Sequence, residues 1–165
     1  MNHDLKQFIE SVELQDIHLD SFTAKTISRG QMEATPRFQL MEKREFLGVV
    51  LSEPDHHTME VRYSLGALLT GEAEEGGDDP PKVAIVEAEV VAIYQLSQPH
   101  PVDSKVAEEF ARTSVLFNLW PFWREFVQET SIRLRWPMVT LPLLKFTKSA
   151  PSLPNASTAL QGSET

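Results

Sequence analysis

The sequence predicts an α+β fold: a four-stranded antiparallel sheet, then a Pro-rich crossover loop, then a kinked helical segment. Residues 59–66 alternate between apolar and polar side chains, and every even position of 84–96 is apolar, which is the period of a strand. From Trp123 onwards the apolar side chains recur at helical spacing. All three tryptophans lie between positions 120 and 136, so we expect this helical part to be central to the core.

Length and net charge limit the classes of protein to which this chain can belong. A chain of 165 residues without internal repeats predicts one domain with a tail. The net charge of -9 and the pI of about 5.0 argue against nucleic acid or an anionic membrane as partner. With no cysteine, disulfides and thiolate metal sites are excluded. The N-terminus lacks a secretory pattern and no long apolar run follows, so we expect a cytoplasmic protein without membrane insertion.

The first third of the chain is predicted to contain an arm, a strand and a loop. Residues 1–11 have the pattern of a short helix that is stable only when it docks. Residues 12–27 are predicted to form the first strand, and a shift in their alternation predicts a bulge near Asp16. Residues 28–35 are interpreted as a loop that turns at Gly30.

The second and third strands are predicted over 38–51 and 59–70, with a turn at 52–56 between them. The middle of the second strand, residues 42–45, is charged on both faces. Its apolar side chains are assigned to two sides. One side carries Phe38, Leu40, Phe46 and Val50, and the other carries Met41, Leu47, Val49 and Leu51.

The fourth strand, predicted over 83–96, follows an acidic Gly- and Pro-rich loop over 71–81. Both of its faces are rich in apolar residues, although an antiparallel sheet of this size ordinarily turns one face to water. We therefore expect more apolar surface than one copy of the chain can bury. Such surface usually marks an interaction site.

Two prolines are predicted to limit the helices that follow the rigid crossover loop at 98–101. Asp103 is placed to cap a first helix that runs to about Phe117. Because Pro121 has no amide proton, we expect that helix to stop or kink near Asn118, which would cap the next one. Pro137 should end the second helix near Trp136.

The end of the chain divides into an extended stretch and a tail. Residues 138–146 are predicted to be extended and to be interrupted by Pro142. Residues 147–165 have few large apolar groups and many small polar ones, so we expect them to be disordered. The folded domain is therefore predicted to cover 1–146.

No pattern for catalysis or metal binding is present in the sequence. The chain has no nucleophile elbow, no zinc-protease motif and no phosphate-binding loop. His56 and His57 have no further ligand at a metal-site spacing. Glu87 and Glu89 share a strand face without a nearby motif partner, which favours a contact surface over acid-base chemistry. We expect a protein that is not an enzyme and has neither cofactor nor metal.

The segment from Trp120 resembles the SecB family of protein-export chaperones. That family has an aromatic-Pro-aromatic motif followed by Arg-Glu, then an aromatic-Pro pair and an apolar tail. Here these are Trp120-Pro121-Phe122, Arg124-Glu125, Trp136-Pro137 and residues 141–146. The order of four strands, crossover and helices is similar too. The family usually has Gly where this chain has Leu134.

The resemblance implies an ATP-independent chaperone that holds unfolded preproteins and assembles as a homotetramer, a dimer of dimers. It also implies contact with the SecA motor ATPase through the positions of Asp20, Ile85 and Glu87. Thr23 stands where the family has a further Glu, and the tail cannot supply the family's last helix. The residues expected to line or border a client groove are Phe46, Tyr63, Tyr94, Trp120, Phe122, Trp136 and Leu141.

Two other functions stay open on the sequence. A SecB-like chaperone dedicated to one partner, such as an antitoxin, would suit the replaced Glu and the missing helix. A small-molecule-binding β domain could instead use the space between sheet and helix.

Overall fold

The computed structural model describes residues 3–34, 37–52, 57–73, 75–77, 79–97, 103–137 and 139–144. Outside these described residues lie most of the predicted turn at 52–56, the crossover loop and the tail. The helices are α1 (His3–Ser11), α2 (Arg29–Ala34), α3 (Ser104–Phe110) and α4 (Leu116–Arg133), with a π-helical turn at Ala111–Val115. The strands are β1 (Val12–Thr26), β2 (Gln39–Leu51), β3 (Thr58–Thr70) and β4 (Lys82–Leu96).

The four strands form one antiparallel sheet in the order β1-β4-β3-β2, which confirms the predicted fold class. The two strands with the clearest apolar alternation, β3 and β4, are its centre. β1 and β2 are its edges. One face of the sheet, here called the inner face, is covered by α1, α3 and α4, and the opposite face is called the outer face.

Apolar side chains of the two central strands build the core on the inner face. Tyr63 and Val90 are register partners there and are almost fully buried. Trp123 and Leu119 of α4 have no exposed surface. The short helix α1 is buried at Leu5 and Phe8, and Phe8 meets Phe110 of α3 edge to face at 5.4 Å. The predicted N-terminal arm is thus a docked helix.

The prediction of a loop over 28–35 is wrong, because Arg29–Ala34 is helical. The side chain of Met32 is buried and anchors this short helix to the core. The backbone N–H of Gln31 donates to Ser28 Oγ at 3.3 Å, which satisfies one free donor at the helix start. Burial of one side chain thus outweighs the helix-breaking tendency of Gly30.

Bulges in the edge strands change which residues face the core. The predicted irregularity near Asp16 is present in β1, and a second register shift lies between Leu19 and Ser21. In β2 a shift between Phe46 and Gly48 reverses the alternation after it. Val49 therefore pairs with Val61 and Leu51 with Met59 on the inner face, and Val50 lies outside, so the predicted sides of Val49, Val50 and Leu51 are wrong.

The predicted break at Asn118 is wrong as well. Asp103 caps α3 as expected, with its Oδ1 accepting from the N–H of Lys105 at 2.9 Å. The chain then continues through the π-helical turn into α4, and Pro121 lies inside α4. Asn118 does not cap a helix but donates from Nδ2 to Tyr94 Oη at 2.7 Å. The irregular turn comes earlier, at Ala111–Val115, a known form of helix distortion.

Helix α4 ends at Arg133, before the predicted end near Trp136, in a Schellman motif. The N–H of Trp136 donates to Ser131 O at 2.8 Å, and that of Arg135 donates to Ile132 O at 3.1 Å. Arg135 has φ +54°, the left-handed conformation that usually selects Gly. The chain reverses there, and residues 139–144 return along α4 without forming a helix or strand.

Helices long and apolar enough to cross a membrane are absent from the part of the chain described above.

Candidate functional site

Two of the predicted groove residues, Trp120 and Leu141, lie where the C-terminal segment, residues 139–144, packs on α4, and a third, Trp136, follows the end of that helix. Trp120, Trp136 and Leu141 are all buried. The indole N–H of Trp120 donates to Pro142 O at 2.9 Å. That of Trp136 donates to Thr26 Oγ1 at 2.8 Å, which ties the end of α4 to β1. The chain itself therefore covers these aromatic side chains.

Tyr63 and Tyr94 lie on the inner face beneath the helices. Tyr63 is 3 % exposed, and its hydroxyl donates to Ala111 O at 2.8 Å in the π-helical turn. Burial raises the pKa of Tyr63 to about 12. Burial also raises the pKa of Tyr94, and the hydrogen bond from Asn118 opposes that rise. Both hydroxyls hold helices on the sheet.

Phe46 and Phe122, the other two predicted groove residues, are half-buried. Phe46 meets Tyr63 edge to face at 5.6 Å between ring centroids. The guanidinium of Arg112 lies over the Phe46 ring at 4.2 Å. The predicted residues thus form one cluster at Phe46 and Tyr63 and another at Trp120 and Leu141.

A charged pair on the inner face of β2 was not assigned to the groove from the sequence. The guanidinium of Arg44 forms an ion pair with Glu42 and lies 4.4 Å from the centre of a Trp120 ring. Glu42 Oε1 and Arg44 Nε are buried without a hydrogen-bond partner among the described residues. The signal in the sequence was the charge on both faces at 42–45, because side chains that face the core of a sheet are ordinarily apolar.

Side chains hold the C-terminal segment by its main-chain carbonyls. Arg124 Nε donates to Leu141 O at 3.0 Å, beside the bond from Trp120 to Pro142 O. The side chains of Val139 and Leu141 are buried, whereas Leu143 is 69 % exposed. The contacts on α4 thus combine carbonyl recognition with apolar side-chain burial. Carbonyl recognition does not depend on the residue that supplies the carbonyl, and burial requires only that the side chain be apolar.

The carboxylates expected to contact SecA are ion-paired on the outer face. Asp20 pairs with Arg62. The hydrogen bonds of Arg62 with Asp20 and Glu60 raise the pKa of Arg62. Glu87 lies 3.7 Å from Lys43 Nζ across Gly66. A Cβ at Gly66 would lie 3.1 Å from Lys43 Cβ, so the missing side chain permits this approach.

Ile85, the third position expected to contact SecA, lies in an apolar row on the same face. It is the register partner of Leu68, which in turn pairs with Met41 of β2. Met41 is 40 % exposed. The fold therefore brings Asp20, Ile85 and Glu87 to one face, but both carboxylates are matched by cations of the same chain.

A second apolar surface lies between edge strand β1 and α4. Phe22 is 59 % exposed, although its ring meets Phe126 edge to face at 5.3 Å. Phe126 in turn stacks on the buried Trp123 at 5.6 Å. The core thus extends outward at this edge and is not fully covered by the described residues.

Among the described residues, no group of three or more His, Asp or Glu side chains is arranged to hold a metal ion.

Solved structures identify the fold. A SecB-like chaperone from Mycobacterium tuberculosis, in complex with a ChAD peptide from the HigA1 antitoxin, superposes with a TM-score of 0.64. The sequences are 20 % identical, and the likeness covers 86 % of this chain and 96 % of that one. The chain has a SecB-like fold. Neither a protein-family profile nor a curated protein sequence matches it.

A protein of unknown function from Streptococcus agalactiae is a more remote structural neighbour. It has a TM-score of 0.41 and 12 % identity over 80 % of this chain and 97 % of that one. The SecB-like assignment rests on the Mycobacterium structure, whose likeness covers most of both chains.

Proposed function

We propose that this chain is an ATP-independent, cytoplasmic chaperone that binds unfolded segments of other polypeptides and has no enzymatic activity. The observation that carries the proposal is apolar surface left exposed at the edge of the core, at Phe22, on a SecB-like fold. Burial of apolar surface contributes about 25 cal/mol per Å² and has little directional preference. A surface of this kind binds many unfolded sequences.

A partner-dedicated chaperone is favoured over a carrier for the Sec export pathway. The structural neighbour was solved with an antitoxin peptide, which supports peptide binding by this fold. Delivery to SecA would use Asp20, Ile85 and Glu87, which share one face. Their carboxylates already pair with Arg62 and Lys43, so docking of a basic partner must break those pairs.

Self-assembly is the second part of the proposal. Apolar surface at the β1 edge suits a second copy of the chain as well as a client, and a homotetramer built as a dimer of dimers would cover it. Phe22→Ser should reduce the assembled mass. Val50→Ser is the matched control, because Val50 is 60 % exposed on the outer face of the opposite edge strand.

Light scattering of the purified chain, with and without a reduced, unfolded client protein, tests both parts. We expect a mass of two or four chains, and a further complex with the unfolded client but not with its folded form. A monomer that ignores unfolded protein would contradict the proposal and favour a small-molecule-binding β domain. Co-purification of one stoichiometric partner, rather than a spread of exported precursors, would identify the dedicated form.

A further inference from the structure

The C-terminal segment, residues 139–144, is bound to α4 in the way an extended peptide is bound to a receptor. It forms neither helix nor strand, and side chains of α4 donate hydrogen bonds to two of its carbonyls, Leu141 O and Pro142 O. Leu141 is 1 % exposed, so its side chain fills an apolar site beneath the segment. Every polypeptide has such carbonyls, and many have an apolar side chain at the same interval.

The neighbouring charged pair indicates that this site has unused hydrogen-bonding groups. Arg44 lies over the ring of Trp120, the same side chain whose N–H binds Pro142 O. Arg44 Nε and Glu42 Oε1 are buried and lack partners among the described residues. A buried donor and acceptor of this kind cost free energy unless a bound group satisfies them. An additional peptide backbone supplies both a carbonyl and an N–H.

We propose that Trp120, Arg124 and the Glu42–Arg44 pair form a polypeptide-binding site, which residues 139–144 of the same chain occupy in the free protein. The ligand class is an extended, apolar polypeptide segment. This deepens the proposed chaperone function and rests on it. An unfolded client displaces the chain's own segment and takes over its carbonyl contacts.

Self-occupancy has a measurable consequence for affinity. Only a free site can bind a client, so the apparent affinity falls in proportion to the fraction of sites that the internal segment leaves free. Weakening the internal segment must therefore tighten client binding. Leu141→Asp should weaken it, since the carboxylate would have to be buried. Leu143→Asp is the matched control, because it makes the same change two residues later at an exposed position.

The experiment measures binding of reduced, carboxymethylated α-lactalbumin, which stays unfolded, to the full-length wild type and to both variants. We expect Leu141→Asp to bind at least about fivefold more tightly than wild type. Leu143→Asp should stay within about twofold of wild type. Equal or weaker binding by a folded Leu141→Asp overturns the inference and leaves the chaperone function intact. Absence of binding by all three proteins removes the proposed function and this site with it.

The mobility of a spin label at position 143 gives a second test that does not depend on the folding of Leu141→Asp. The chain has no cysteine, so Leu143→Cys takes a single label at a position that is 69 % exposed. Saturation with the unfolded client should make the label more mobile, because the client releases the segment. Unchanged or lower mobility, with binding confirmed, overturns the inference.

Discussion

The two faces of the sheet use the same strands for different purposes. On the inner face, Tyr63 and Val90 lie in a dry core closed by Trp123. On the outer face, one residue further along the strands, Arg62 and Val91 are register partners and Asp20 pairs with Arg62. The comparison teaches that apolar packing holds the helices on the inner face, whereas matched charges shield apolar groups of the outer face without a covering layer.

The largest expected effect is on the inner face, at Trp123. Trp123→Ala should lower the free energy of unfolding by about 3–5 kcal/mol, because a fully buried ring is replaced by a cavity. Urea denaturation followed by circular dichroism measures it. Ile132→Ala on the exposed side of the same helix should change it by less than about 0.5 kcal/mol. A small loss at Trp123 would remove the inner face as the main source of stability.

Two adjacent valines of β4 give the sharpest comparison between the faces. Val90 and Val91 are both fully buried, but Val90 faces Tyr63 and Leu19, whereas Val91 faces Arg62 and His18. Val90→Thr should cost about 1–3 kcal/mol, because its hydroxyl finds no polar neighbour. Val91→Thr should cost less than about 1 kcal/mol. Equal losses in denaturant would mean that the outer face is as dry as the inner one.

Tyr63 tests the polar contact inside the inner face. Tyr63→Phe removes the hydrogen bond to Ala111 O and should cost about 1 kcal/mol at neutral pH. The folded pKa of about 12 lies above the unfolded value near 10, so the folded state holds the proton more tightly. The stability that arises from this difference in pKa is fully present below pH 10 and is lost as the pH rises towards 12.

Unfolding at a series of alkaline pH values therefore checks Tyr63 independently of its neutral-pH cost. Tyr63→Phe should show a weaker fall in stability between pH 10 and 12 than the wild type. An identical alkaline profile for the two proteins would mean that the hydroxyl ionises in the folded state as readily as in water. Tyr94→Phe is the matched comparison, because its pKa is raised by burial too.

The smallest effect is expected at the outer ion pairs. Arg62→Met keeps the aliphatic stem but removes the pairing with Asp20, and it should lower the midpoint of urea unfolding less than the inner-face changes above, because water screens an exposed ion pair. The difference from wild type should shrink in 1 M salt, where the Debye length is about 3 Å. A loss that is large and independent of salt would show that Arg62 acts through packing instead of charge.

Much of the fold was predictable because its signals are local. Alternation in β3 and β4 predicted the sheet, and the helical spacing after Trp123 predicted α4. A one-residue shift in the alternation of β1 predicted the bulge near Asp16. Pro121 misled the prediction of helix ends, since the cost of a proline inside a helix, about 3 kcal/mol, can be outweighed by tertiary packing. In this chain, packing of Leu119 and Trp123 on the sheet keeps the helix continuous.

The sequence indicated the aromatic residues of the candidate site, but neither the Glu42–Arg44 pair nor the contacts among its residues. The aromatic cluster is visible in the sequence, whereas its cover depends on the reversal at Arg135 and on bonds to main-chain carbonyls, which no side-chain pattern encodes. The pairing of Lys43 with Glu87 depends on strand register and on Gly66, since the two residues are not neighbours in sequence. The sequence alone offered the acidic residues without their partners.

The left-handed turn at Arg135 also determines how this protein can be handled. Because the chain doubles back there, Pro142 lies beside Trp120. A shortened version that ends at Arg135 would lose the segment whose carbonyls bind Trp120 and Arg124, and it would uncover apolar side chains of α4. Protein purified for binding measurements should therefore keep residue 144.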